Sequence, residues 1–173
     1  MASLLALGLM LAGAPAVLAV ESVPLPFESG AAARVIQGYN GGSHQDASRY
    51  GLDLVLVGQQ TGGAAVLSPL EGSIAWAFEP GDRTGCLEVV ANSGTFGVML
   101  CHVLLDRPYA RGERVNRCQV LGAVGAAGTV GNNGSPHVHL EAHRSGAGNQ
   151  GIPFGQREGL LLESLDLSAT GAP

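Results

Sequence analysis

Two histidines stand two residues apart in the stretch Gly131-Asn132-Asn133-Gly134-Ser135-Pro136-His137-Val138-His139-Leu140-Glu141, and His44 and Asp53 lie far upstream. Polar and apolar residues alternate from His137 to Ala142. On a strand, that alternation puts His137, His139 and Glu141 on one face and Val138, Leu140 and Ala142 on the other. Two imidazoles on one strand face can share a cavity, one binding a metal while the other works on what the metal binds. Together with His44 and Asp53 they suggest a catalytic zinc site. Asp53 is itself anomalous, because it stands inside the apolar run Leu52 to Val57. A lone carboxylate there is costly unless it is paired or bound to a metal. Arg49 is one partner the sequence offers, and a metal is the other.

Catalytic zinc characteristically takes three protein ligands and keeps a position for water, whose pKa it lowers to about 7. Chemistry on an amide also needs groups that orient the water, carry its proton and stabilise the oxyanion. Further histidines can do this. His102 lies in Val98-Met99-Leu100-Cys101-His102-Val103-Leu104-Leu105, where Leu100 and Leu104 would share its strand face. Read alone, it is a hydrogen-bonded core histidine. Glu141 either supports a metal-binding imidazole or is a solvated strand-end carboxylate. His143 falls at the strand end, in solvent. Trp76 and Phe78 alternate on one face and read as core, with an aromatic wall to a substrate groove as the alternative.

Short strands must position these residues. The runs Ala33 to Gln37, Leu52 to Val57, Ala64 to Leu67, Ser73 to Phe78, Leu87 to Ala91, Val98 to Leu105, Gln119 to Val124 and His137 to His143 are strand-like. Turn residues such as Gly41-Gly42, Gly62-Gly63, Pro80-Gly81 and Ser93-Gly94 separate them. No helical period lasts beyond three turns. Regularly spaced short strands predict an all-β domain, an antiparallel sandwich or barrel. Gly159 to Leu167 could form a short helix, and the tail of small and polar residues reads as disordered.

The chain has 173 residues, 46% of them hydrophobic and 27 of them glycine, enough for one domain with a real core. The net charge of −5 argues against a nucleic-acid partner, which needs a basic face. All nine basic residues are arginine. Residues 3 to 19 form an uncharged Ala/Leu/Gly-rich run, with Val17 and Ala19 suiting an export cleavage before Val20. An uncleaved anchor or an upstream start are the alternatives. The organisation expected is therefore a signal peptide over 1–19, a catalytic domain over 20–150 and an extension over 151–173. Cys86 and Cys101 flank the turn Asn92-Ser93-Gly94-Thr95 and fall opposite each other when counted back from its middle. They could bridge, leaving Cys118 as the odd thiol, or all three could be buried free thiols.

The order of His44, Asp53, an apolar strand with His102, a glycine-rich loop and His137-Val138-His139 resembles the lysostaphin-type (LytM-like) zinc endopeptidases that cut peptidoglycan peptides. The resemblance spans roughly Gly38 to His143. It includes Cys118-Gln119-Val120-Leu121-Gly122-Ala123-Val124-Gly125, the stretch Gly134 to Glu141, and Val66-Leu67-Ser68-Pro69-Leu70-Glu71-Gly72-Ser73-Ile74. It implies one zinc ion per chain held by His44, Asp53 and His139, with His102 and His137 as the catalytic pair. The common first motif is His-x-Gly-x-Asp. Here Gly51 and Asp53 match its end, but Arg49 stands at the histidine position, and His44, nine residues before Asp53, resembles a longer-spaced subset. Asp46 is a rival carboxylate. Cys118 replaces a usual glycine and Leu140 a usual phenylalanine.

The resemblance thus implies an exported zinc metalloendopeptidase, periplasmic or extracellular and monomeric, with a peptidoglycan peptide as substrate and no membrane span after processing. The alternative is a silent binding or regulatory module of the same fold that activates another wall hydrolase. A carrier module of lipoyl type would need a lysine, and the chain has none.

Overall fold

In the computed structural model the described residues are 21–145, 150–155 and 160–163. The expected export segment and the polar tail lie outside them.

Thirteen strands build the described fold: β1 (Glu21–Val23), β2 (Ala33–Gln37), β3 (Leu52–Leu56), β4 (Ala65–Leu67), β5 (Gly72–Ala77), β6 (Leu87–Ala91), β7 (Phe96–Cys101), β8 (Val103–Leu105), β9 (Arg114–Val115), β10 (Val120–Val124), β11 (Val138–Arg144), β12 (Gly151–Ile152) and β13 (Leu160–Leu162). The only helical element among the described residues is a 3₁₀ turn over Asp46–Ser48. No described helix is long and apolar enough to cross a membrane. Seven strands run in the order β2-β3-β11-β7-β6-β5-β9, with β12 added beside β11, and form one antiparallel sheet. A second sheet has the order β4-β10-β8, and β1 pairs with β13 in parallel. The all-β antiparallel class expected from the strand spacing is the one observed.

Period-two alternation decides which side of the large sheet is dry. Val138, Leu140 and Ala142 on β11 are fully buried, as are Leu52 and Leu54 on β3 and Val98 and Leu100 on β7. They form one apolar cluster with Val66, Val103, Leu105, Leu121 and Val124 of the second sheet, so the two sheets close on a shared core as a sandwich. The opposite face of β11 carries His139, Glu141 and His143, and this is where the chemistry gathers.

Several local expectations change. The run Val98 to Leu105 is not one strand. It breaks at His102, whose φ of 65° is in the left-handed region, unusual for a side chain of this size. The chain leaves the large sheet there and enters the second one, so Leu104 is 49% exposed while Leu100 is buried. Leu160–Leu162 is a strand rather than a helix, because pairing with β1 lets Leu160 and Leu162 join the core. Phe78 is 44% exposed, and the half-buried Trp76 donates its Nε1–H to Glu88 Oε2 at 2.6 Å. Neither belongs to the core. Cys86 and Cys101 face each other beside the Leu87–Leu100 pair and are joined by a disulfide, while Cys118 is exposed.

Candidate metal centre

β3 and β11 are neighbours, and their register puts Asp53 directly opposite His139. Asp53 Oδ1 lies 3.0 Å from His139 Nδ1 and 3.1 Å from His44 Nε2. One ligand atom from each of these three buried residues falls within 4.8 Å of the others. Asp53 therefore has histidine partners. Arg49 is not among them, as its guanidinium lies over the Tyr50 ring. Asp46 is exposed on the 3₁₀ turn, away from the cluster. Close packing at Asp53 depends on Gly51: a Cβ there would lie 2.3 Å from His139 Cε1.

His102 and His137 stand across from this group. Their ring centroids are 4.6 Å apart, and His137 Nε2 is 3.6 Å from Asp53 Oδ2. All five residues line one cleft of about 530 Å³, walled by Ile36, Ser43, Thr84 and the Gly131–Ser135 loop. His102, the core histidine of a one-strand reading, instead opens onto that cleft because the chain turns there.

Each imidazole has one nitrogen fixed from behind. His44, His102 and His137 donate Nδ1–H to the backbone carbonyls of Gly38 (2.9 Å), Val130 (2.9 Å) and Ser135 (2.8 Å). A carbonyl can only accept, so Nδ1 carries the proton and Nε2 of each ring is turned to the cleft. His139 is held the other way round, with Nε2 3.3 Å from Glu141 Oε2 and Nδ1 facing Asp53. Neutral His44 and His139 in these tautomers would present two lone pairs to the Asp53 carboxylate, acceptor against acceptor. A cation resolves that conflict, either as protons on the rings or as a metal ion, so the donor set of two imidazole nitrogens and a carboxylate fits a divalent metal.

Without a metal, protons fill the role. Burial works against both charges, but the Asp53 and Glu141 carboxylates raise the pKa of His139 to about 9. Asp53 also meets a burial penalty, yet the hydrogen bonds to His139 and His44 hold it well below the usual carboxylate range. Burial lowers the pKa of His102, outweighing its bond to Val130, which favours the neutral, proton-accepting ring.

Sequence reasoning missed three contributors, His143, Glu88 and Asn132, and left Glu141 open between supporting a metal-binding imidazole and standing in solvent. Glu141 is not solvated but fully buried, and His143, expected in solvent, is 5% exposed between Glu141 and Glu88. Glu88 gave no signal beyond its place on an alternating strand. The third is Asn132, fully buried: its Nδ2 donates to Gly125 O at 2.8 Å, and its Oδ1 accepts from the His137 backbone N–H at 3.3 Å. It braces the glycine-rich loop that delivers His137, and an asparagine inside that loop was its only trace.

The fold is that of solved peptidase domains. The chain is similar to a zinc-containing peptidase from Vibrio cholerae at 19% identity and TM-score 0.51, covering 74% of this chain and 37% of that one. It therefore spans little more than a third of that protein. It is also similar to a mutant catalytic domain of the prophage-encoded M23 protein EnpA from Enterococcus faecalis (20% identity, TM-score 0.53, 76% and 94% covered). A third similar structure is the catalytic domain of the antimicrobial peptidase lysostaphin from Staphylococcus simulans (19% identity, TM-score 0.51, 71% and 88% covered). No family model and no curated protein matches the sequence.

Proposed function

We propose that the chain is a zinc metalloendopeptidase of the lysostaphin type, exported through removal of residues 1–19, that hydrolyses peptide bonds in the stems or cross-links of peptidoglycan. The observation that carries this reading is the convergence of four imidazole nitrogens and one carboxylate on a single open cleft. Three of these groups suit a metal, and two are left over for proton chemistry. The shared fold with domains described as peptidases adds to it. In this reading residues 20–150 are the catalytic domain, residues 151–173 an extension of it, and the protein is a monomer.

His44 Nε2, Asp53 and His139 Nδ1 would hold one zinc ion. Zinc bound there supplies Lewis acidity, lowering the pKa of a water and polarising a carbonyl. The chain's own residues do the rest. His137 Nε2, aimed at the same space as Asp53 Oδ2, accepts a hydrogen bond from the attacking water and takes up its proton. His102, kept neutral by burial, faces His137 and hydrogen-bonds the reacting groups through Nε2. Because Val130 and Ser135 fix both Nδ1–H groups, the two Nε2 atoms reach the reaction without a change of tautomer. The peptide must lie along the cleft between the Ile36 and Ser43 wall and the Gly131–Ser135 loop.

The test is mass spectrometry of fragments released from purified peptidoglycan with zinc present and with a chelator. Zinc-dependent fragments ending at new amino and carboxyl termini are the expected result and identify the bond. No fragments from several wall types would favour the silent regulatory module instead.

A further inference from the structure

Four of the five histidines belong to the cleft; the fifth, His143, does not. It lies behind the cleft in a row of buried charged groups that the reaction does not use. His139 Nε2 is 3.3 Å from Glu141 Oε2, and Glu141 Oε1 is 3.4 Å from His143 Nε2. His143 Nδ1 is 3.3 Å from Glu88 Oε1, and Glu88 Oε2 accepts the Trp76 indole N–H at 2.6 Å. The row runs from β11 over β7 to β6 and β5 on one face of the large sheet. Burying two carboxylates and an imidazole side by side is expensive, and an apolar row would be cheaper.

We propose that Glu141 is a positioning residue for the metal centre, held by His143 and, through it, by Glu88, and that it fixes the His139 ring with Nδ1 toward the metal. This rests on the reading of His44, Asp53 and His139 as metal ligands. The other three cleft histidines are set by backbone carbonyls. His139 lies within the ladder, where its neighbours' carbonyls are committed to strand pairing, so a side chain must do the same work. Charge balance follows from the arrangement. When a metal occupies the site, His139 is neutral and donates Nε2–H to ionised Glu141. Glu141 Oε1 makes no hydrogen bond and is tolerable in a buried place only with a charged His143 beside it. Glu88 supplies the second carboxylate that keeps His143 protonated, and Trp76 caps the row with a neutral donor. β12 closes the row from above: a Cβ on Gly151 would lie 2.2 Å from Glu141 Oε1, so the backbone presses directly on the carboxylate and limits its rotation.

The experiment measures the zinc dissociation constant, by competition with a chromophoric chelator, for wild type, Glu141→Gln and His143→Gln. Imidazole ¹⁵N spectra of the zinc-loaded proteins are read alongside. Glu141→Gln should weaken zinc by about 10- to 100-fold, and His143→Gln by less. The His139 Nε2–H signal of wild type should shift or broaden in both. A purely structural role would lower thermal stability with and without zinc alike and leave affinity and spectrum unchanged. If Glu141→Gln does not fold, His143→Gln, which alters no residue touching the ligands, decides alone by the same readouts. Wild type binding zinc with unchanged affinity in the folded variants overturns the inference by itself. Wild type failing to bind zinc overturns the metal reading, and the inference falls with it.

Discussion

Asp53 and His139 reach the centre from paired strands, whereas His44, His102 and His137 reach it from loops, and the two groups are held in place by different means. The strand pair is fixed by register: once β3 and β11 pair with Asp53 opposite His139, only ring rotation is left to set. The loop histidines depend on the course of the backbone, each through a single Nδ1–H bond to a carbonyl. Residues remote from the chemistry can therefore displace a loop histidine, while the strand pair moves only if the sheet does. Under the proposed function the strand pair binds metal together with His44, while the loop pair His102 and His137 handles protons, so the support of the proton pair can be probed separately.

The largest expected effect separates the two groups directly. His139→Ala should lose both bound zinc and hydrolysis, measured by metal content after dialysis and by fragment release. His137→Ala should retain its zinc while hydrolysis falls by about 10²- to 10⁴-fold, the range for removing a general base. Loss of zinc in His137→Ala would erase the division of labour.

That division was partly readable in the sequence. Alternation around His139 is a period-two signal, and it holds because one face of a strand must be dry. The apolar core followed for the same reason. Asp53 stood out instead as the one carboxylate in an apolar run that is buried throughout β3. His102 was harder to read, since a left-handed residue between two sheets leaves an apolar run unbroken. His143 and Glu88 resisted reading, and Glu141 stayed open between two readings, because mutual pairing cancels the cost that normally keeps charges exposed. Their pairing joins β6 to β11, which are far apart in sequence. Trp76 and Phe78 misled for the opposite reason: aromatic residues on an alternating strand look like core whichever sheet face is the covered one.

Second in size is the disulfide. Cys101 immediately precedes His102, and Cys86 follows Thr84 and Gly85, whose carbonyls accept from the backbone N–H groups of His102 and Val103 at 2.9 Å each. The bridge thus ties down the crossing at which His102 leaves the sheet. Replacing both cysteines by serine opens a loop of sequence separation 15 and should cost about 3 kcal/mol, roughly 6–12 °C in Tm for a chain of this size. If the loop histidines are the displaceable ones, kcat at a temperature where the variant is folded should also fall while zinc affinity holds. A variant that loses zinc first would reverse the comparison.

Asn132→Ala tests the same point more gently. It leaves the His137 backbone N–H without its side-chain acceptor and Gly125 O without its donor, an expected loss of about 1–3 kcal/mol. Chemical denaturation measures that cost. Fragment release should decline further than the stability change explains, since the loop then delivers His137 less accurately, and the zinc dissociation constant should stay at its wild-type value.

The smallest effect is a pH dependence confined to the strand side. Burial opposes charge on His143, but Glu141 and Glu88 raise its pKa to about 9, from an ordinary 6.5. A group whose folded pKa is raised contributes stability that is complete below its unfolded value and is lost as pH rises through its folded value. For His143 that window runs from about 6.5 to about 9. The hydrogen bond from His143 lowers the pKa of Glu88 and outweighs its burial, while Glu141 is lowered against a larger burial penalty by His139 and His143. Their contributions have the opposite sign, present above the ordinary carboxylate value and lost on acidification. Thermal melts of zinc-loaded wild type and His143→Gln across this range isolate the imidazole, because zinc keeps His139 from titrating in either protein. The wild-type advantage should be greatest near pH 6 and shrink steadily toward pH 9.5. A difference that stays constant with pH would mean that His143 is neutral in its place, and the strand side would then be held by packing alone rather than by charge.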